Sequence, residues 1–416
     1  LAALAAPSAA DAADHLRMLT ATNLAAGIGE PGGARRILDA LSPRGGSDPG
    51  AAAYRNSVRF HARTQDDFHP AGRVHVGAIT LAATLALAEE AGERTLDCLA
   101  AGYRAMCAIA VPYSRHAQAR GMRPSGMFGP FGAAASAATA LGLDRDGVAN
   151  ALGLAAVMTG GTTQTWTEGS DEWALEAGAA ARAGVEAALL SRAGVIAATE
   201  AIEGRFGWAG AFFEDEGASL LAAELDAGGE RIGEVASKPY PVSGIAEVPT
   251  HLAAQVQPRL AGASPSAVRL SLSPSEVAYP GSTNRGPFPS RSAALMSLPF
   301  CLAAALTEGL VSLDRLERAG DGSLDELIAR ISIEADESLT EEQAVLRVEV
   351  GDEVFESRGE GAEVLYPDWS VIAGEAAALA ERSEAAAAPV AAAVEELTKP
   401  APDARALCQI LEGTDR

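Results

Sequence analysis

The sequence predicts a mostly α-helical chain with a smaller α+β region following residue 264 or so. Two features predict it. Long alanine-rich stretches, apolar nearly all round, fill the part before that point, as in the buried helices of a large protein. Beyond it, short segments alternate apolar and polar residues with period two, the mark of half-buried strands. A length of 416 residues leaves room for two domains, taking roughly 100–200 residues for each.

In chain order, residues 76–91 form the clearest buried helix, and 94–111, 132–142, 146–159, 174–193 and 217–225 repeat its character. Breaks such as Leu141-Gly142-Leu143-Asp144 and Ala193-Gly194 separate them. Gly178, Ala179, Ala180, Ala181 and Gly184 are small enough to let helix axes approach closely. Strands are expected at 267–273, 327–334 and 344–350, then a hairpin turn at Gly351-Asp352-Glu353 and a strand at 354–358. A helical insert at 290–309 lies between them, and alanine-rich helix returns from about 369. These readings divide the chain into a helical domain over 1–262, an α/β domain over 263–368, and C-terminal helices over 369–416 that pack back on the first domain.

Composition narrows the function classes. With 32 basic and 55 acidic residues the formal charge is −23, which repels nucleic acid and anionic membrane surfaces. No basic block supplies the electrostatic footprint of a nucleic-acid binder, and no run of about 18–20 strongly apolar residues supplies a membrane span. Leu1 to Ala13 lacks a basic n-region and a cleavage signature, so no signal peptide is expected. The four cysteines, Cys98, Cys107, Cys301 and Cys408, form no CxxC and no metal-finger spacing. They read as buried, reduced thiols of a cytoplasmic protein.

Three polar clusters stand out. Asp66-Asp67-Phe68-His69-Pro70-Ala71-Gly72-Arg73-Val74-His75 directly precedes the helix at 76. Two carboxylates and two imidazoles there can supply acid and base groups, or form a polar loop with an Asp cap. His69 and His75 do not make a known ligand spacing, so no metal is expected. Arg120 to Gly132 is a glycine-rich loop opening a helix, suited either to an anion or to tight helix packing, and it carries no nucleotide motif. Lys238-Pro239-Tyr240-Pro241-Val242-Ser243 is a rigid extended segment, either a linker or a means of projecting Lys238 and Ser243 into a cleft. The hydroxyl-rich stretch Thr162 to Trp173 reads as a polar loop that lines a pocket or lies on the surface. No GxSxG elbow is present.

Taken in order, these segments resemble the MmgE/PrpD family of 2-methylcitrate dehydratases, cis-aconitate decarboxylases and iminodisuccinate epimerases. The passages that carry the resemblance are Asp66-Asp67 with His75, 121–143, 176–194, the Lys238-Pro-Tyr-Pro segment, and 296–309, within roughly residues 20–380. The resemblance implies a large all-helical domain built from both chain ends, a smaller α/β lid, a homodimer, and an active site in the cleft between domains. It also implies a small-molecule substrate and neither metal nor organic cofactor.

The same resemblance assigns roles. His75 abstracts a proton next to a carbonyl or carboxylate, Arg123 and Lys238 stabilise the resulting charge, and Asp67 orients His75 or acts as the alternative base. Asp66, His69, Trp173, Glu176, Tyr240, Ser243 and Phe300 fall among the substrate-contacting positions. Several depart from the family pattern. A family histidine falls on Arg123, a lysine near Trp173, a polar position near Glu176, a histidine or cysteine on Ser243, and a tyrosine on Phe300. These changes remove positive charge, and Phe300 cannot donate a proton. They point to a larger, less charged substrate than a tricarboxylate, as in a specialised biosynthetic pathway. The alternative is a member that has lost lyase chemistry and binds a ligand or partner.

Overall fold

The structure is a computed structural model and describes residues 12–29, 32–41 and 48–414. The N-terminal stretch read above as no signal peptide lies, as far as Asp11, outside the described residues. Two compact units are present. One comprises the described residues of Leu1–Thr162, Trp173–Ser237 and Asp368–Arg416, and the other comprises Thr163–Glu172 and Lys238–Pro367.

The first unit is helical. Its principal helices are α1 (Ala13–Ile28), α2 (Pro49–His61), α3 (Val76–Ala86), α4 (Thr95–Ala119), α5 (Pro124–Ala140), α6 (Arg145–Ala155) and α7 (Glu172–Arg192). The C-terminal helices Ala387–Thr398 and Ala404–Gly413 pack against α1 and α3 respectively. Every residue of α3 except Ala86 is buried, as its apolar composition on all faces requires. It packs on α2, α4 and α5, and α4 and α5 pack along each other. Alanine makes this closeness possible: a methyl side chain costs little entropy in a helix and keeps the interaxial gap small.

The glycine-rich stretch is not a loop. From Pro124 onward it is the body of α5, with Pro124 at the first helical turn where its missing N–H costs nothing. A Cβ on Gly126 would lie 2.0 Å from the carbonyl oxygen of Gly160, so the glycine is required by close backbone approach. Of the two readings open in the sequence, helix packing is the one observed. The hydroxyl-rich stretch likewise contains a short helix, Gln164–Glu168, in the second unit.

The second unit is built on a four-stranded mixed sheet of order β2-β1-β3-β4, with β1 Ala267–Leu272, β2 Ile331–Ala335, β3 Gln343–Val350 and β4 Glu353–Glu360. β1 runs parallel to β2 and antiparallel to β3, and β3 and β4 form a hairpin. Gly351 takes φ +58° at the first central position of its two-residue turn, as a right-twisted hairpin favours. Val268, Leu270 and Leu272 alternate inward, with Val268 opposite Ile331 and Val348, and Leu270 opposite Leu346. The strand expected from 327 begins only at Ile331, because Asp325–Ile328 closes a helical turn first.

Two helices cover the sheet: α8 (Glu247–Val256) against β3 and β4, and α9 (Leu298–Glu308) against β2 and α8. The packing of α8 places residues 238–262, which the sequence grouped with the helical domain, in the second unit. Among the described residues no helix is long and apolar enough to cross a membrane. No disulfide joins the described cysteines, and Cys98, Cys107 and Cys301 are buried. Burial pushes the Cys98 thiol up to about 12, so it is an inert apolar group at neutral pH.

Candidate active site

The polar segment before α3 folds into the first unit as a buried knot. α2 ends at His61, and the chain turns through 62–65 to bring Asp66 and Asp67 under the start of α3. The segment is pinned by an antiparallel bridge from Phe68 to Ala236 and by one from His69 to Val74. His75 is the N-cap residue of α3, and its backbone N–H donates to Ser125 Oγ at the start of α5 (3.1 Å).

Adjacent carboxylates serve different purposes. Asp67 faces inward and ties three helices together. Its Oδ1 accepts the Gly77 N–H (2.7 Å), and its Oδ2 accepts Asn23 Nδ2 of α1 (2.8 Å) and the Tyr103 hydroxyl of α4. Gly77 is required here, because a Cβ would stand 2.2 Å from Asn23 Nδ2 and 2.6 Å from Asp67 Oδ2. Burial raises the Asp67 carboxyl to about 7, and the nearby Asp66 charge adds to the rise. The three donors oppose it.

Asp66, not Asp67, meets the imidazoles. Its Oδ2 lies 2.8 Å from His61 Nδ1 and 3.0 Å from His75 Nδ1. The two rings are 4.3 Å apart. Burial alone would raise Asp66. The donors of both rings, with the charge of an imidazole when it is protonated, outweigh it and hold the carboxyl well below the usual carboxylate range. Its other oxygen, Oδ1, is buried and accepts no hydrogen bond among the described residues.

Arg123 closes the cluster from the N-terminus of α5. Its Nη2 lies 3.1 Å from His61 Nε2 and its Nε 3.4 Å from Glu176 Oε2 on α7. Glu176 also accepts the backbone N–H of Thr162 (2.8 Å). Trp173, in the first turn of α7, stands edge-on to His61 with centroids 4.9 Å apart. His61, Asp66 and Arg123 are almost fully buried, whereas the His75 side chain is 18% exposed and is the member of the group reachable from outside.

A guanidinium has no acceptor, so His61 Nε2 must accept from it and the single ring proton must sit on Nδ1, facing Asp66. The donor types of His61, Asp66 and His75 are those of a two-histidine, one-carboxylate cation site, and their atoms lie within 4.8 Å of one another. The charge does not fit. A cation at His61 Nδ1 would require that nitrogen deprotonated and would turn an N–H toward Arg123. The arrangement suits proton transfer instead. Two imidazoles share one ionised carboxylate, and the partly exposed one, His75, has its Nδ1 beside that carboxylate.

The other sequence candidates are placed as follows. His69 is buried in its own loop. Its Nδ1 accepts the Gly72 N–H (3.2 Å), its Nε2 stands 3.7 Å from Glu234, and burial depresses its pKa to about 4. Lys238, Tyr240, Ser243 and Phe300 belong to the second unit. Lys238 is buried there, and the Tyr240 N–H donates to Glu247 (3.2 Å). The Ser243 N–H donates to the Leu295 carbonyl (3.0 Å), while its buried Oγ has no hydrogen-bond partner among the described residues. Phe300 packs edge-on against Phe288 at 5.1 Å. The sequence reading missed His61, which looks like an ordinary basic residue in the last turn of a helix. The available signal was its position: it is one of only six histidines in the chain and lies five residues ahead of Asp66.

Residues 4–221 match the MmgE/PrpD N-terminal domain family. A cis-aconitate decarboxylase-like protein, oryM, of Aspergillus oryzae is 29% identical over 170 residues, which are 38% of this chain and 35% of that protein. The chain therefore spans about a third of the length of the curated relative it matches.

Proposed function

The chain belongs to the MmgE/PrpD family, and on that premise we propose that it is a lyase or isomerase that removes a proton from carbon beside a carbonyl or carboxylate. The observation that carries this reading is the Asp66 carboxylate set against His75 Nδ1 at 3.0 Å. With the ring proton on Nδ1, the lone pair is on Nε2, the nitrogen that takes the proton. The imidazolium so formed is balanced by Asp66, as a buried carboxylate balances a general-base histidine. The electron pair left on carbon becomes an enolate. Loss of a β-hydroxyl as water, return of the proton to the opposite face, and ring closure all proceed from that intermediate; loss of carbon dioxide instead leaves an electron pair on carbon directly, and the His75 imidazolium supplies the proton that quenches it.

Arg123 is held by His61 and Glu176, so it acts through its field on the cluster more than by gripping a carboxylate. Glu176 beside it partly cancels that charge, which supports a substrate less charged than a tricarboxylate, of the kind met in specialised biosynthesis. Lys238 enters as a second stabilising charge by resemblance alone.

The test is proton NMR in D2O with cis-aconitate, 2-methylcitrate and iminodisuccinate in separate tubes. Wild-type protein is expected to incorporate deuterium, or to release water or carbon dioxide, from at least one of them or from a less charged analogue. His75→Gln should abolish this while its circular dichroism and thermal unfolding stay unchanged. A His75→Gln protein that turns over at the wild-type rate defeats the assignment. One observation favours a second reading, a ligand-binding member without turnover: Trp173 and Phe300 are both buried at positions where the family pattern has polar groups. Substrate that binds with no exchange of any proton would establish that reading instead.

A further inference from the structure

His61 takes no proton in the reading above, yet both of its ring nitrogens are engaged. Its two nitrogens face groups of opposite character. Nδ1 faces Asp66 Oδ2 at 2.8 Å, and Nε2 faces an Arg123 nitrogen at 3.1 Å. Arg123 can only donate, so Nε2 can only accept. Protonating Nε2 would put an N–H against a guanidinium N–H in a site where His61 is 1% exposed and solvent cannot screen the clash.

We propose that His61 is a positioning residue, locked by Arg123 as the neutral Nδ1–H tautomer, and that this lock confines proton uptake in the cluster to His75. The Nδ1–H occupies one lone pair of Asp66 permanently. Asp66 therefore stays ionised, and its capacity to stabilise a charged His75 is shared with a second donor. His61 thereby sets the basicity of His75 without touching substrate. Asp66 and His61 face the His75 ring, and Arg123 and Glu176 stand behind His61. The neighbouring Asp67 is engaged by Gly77, Asn23 and Tyr103. The lock itself is independent of turnover, and only its catalytic consequence rests on His75 being the base.

The experiment is long-range proton–nitrogen correlation NMR on protein labelled with 15N-histidine, from pH 5 to 8. With six histidines in the chain, His61→Asn and His75→Gln assign the two signals. His61 is expected to show a protonated Nδ1 and an unprotonated Nε2 throughout, while His75 titrates. His61→Leu removes a donor from Asp66 and should raise the His75 midpoint severalfold to tenfold in proton affinity. His61→Asn, which keeps an N–H near the same place, should restore it. A residue of purely structural importance would lower stability and leave that midpoint in place. A His61 that titrates in this range, a proton on its Nε2, or an unmoved His75 midpoint in a folded His61→Leu protein overturns the proposal. Absence of substrate exchange with the tautomers as described would count against the lyase reading and leave the lock standing.

Discussion

Replacing Asp67 with asparagine should change how stability depends on pH. Burial lifts the folded-state pKa of Asp67 from its ordinary 3.8 to about 7. A raised folded pKa means that the folded protein binds the proton more tightly than the unfolded chain. The resulting stabilisation is fully present below about 3.8 and is lost as pH rises through about 7. At pH 5 the folded group lies about two units below its pKa while the unfolded group is ionised. At pH 8 both are ionised and the advantage is gone. Two units correspond to about 2.7 kcal/mol. An asparagine side chain cannot titrate, so Asp67→Asn loses this component while the pH dependence of every other group cancels in the comparison. Urea unfolding of both proteins at pH 5 and pH 8 measures it, provided m is equal in the two. The variant should gain on the wild type by about 2–3 kcal/mol between pH 5 and 8. A difference that stays constant with pH would contradict the raised pKa and show that the three donors keep the carboxylate ionised throughout.

Two further predictions concern the same knot. Gly77→Ala would drive a methyl group to within 2.2 Å of Asn23 Nδ2 and 2.5 Å of Tyr103 Oη, so chemical denaturation should show a loss of at least about 2 kcal/mol, and a neutral result would mean that α3 shifts freely. His69 has its pKa depressed to about 4 by burial, so its contribution is present above about 6.5 and lost as pH falls through 4. His69→Gln should therefore lose about 3 kcal/mol less stability than wild type between pH 7 and pH 4, and parallel acid-unfolding curves would contradict a neutral, buried imidazole.

What could be read from the sequence depended on how local each signal was. The helix at 76–86 is apolar on nearly every face, and such a segment has nowhere to go but the inside of a helical layer. The period-two alternation of 267–272 and 343–350 marked both the strands and the faces they turn inward, because successive strand side chains point to opposite sides. The strand expected from 327 began late for a local reason too: Leu327 and Ile328 belong to the helical turn Asp325–Ile328, and two apolar residues do not distinguish that turn from the start of a strand. Glycines at 126, 129 and 132 were ambiguous, since a gap for an anion and a gap for a neighbouring backbone need the same missing side chain.

Hydrophobic patterning alone was enough to divide the chain into a large helical part and a smaller α/β part, and composition alone showed that residues 66–75 concentrate acid and base groups beside a buried helix. Which of two adjacent aspartates meets the imidazoles emerged only when the chain was folded. Asp66 and Asp67 are the same residue type one position apart, but that step turns their side chains apart. Asn23, Gly77 and Tyr103 claim Asp67. His61 and His75 claim Asp66. The partners come from segments up to 44 residues away in the chain, and a proton's place on His61 is set by Arg123 a further 62 residues on from that histidine. Tautomer and ionisation follow from what a group faces in a low-dielectric interior, and no periodicity or spacing encodes that.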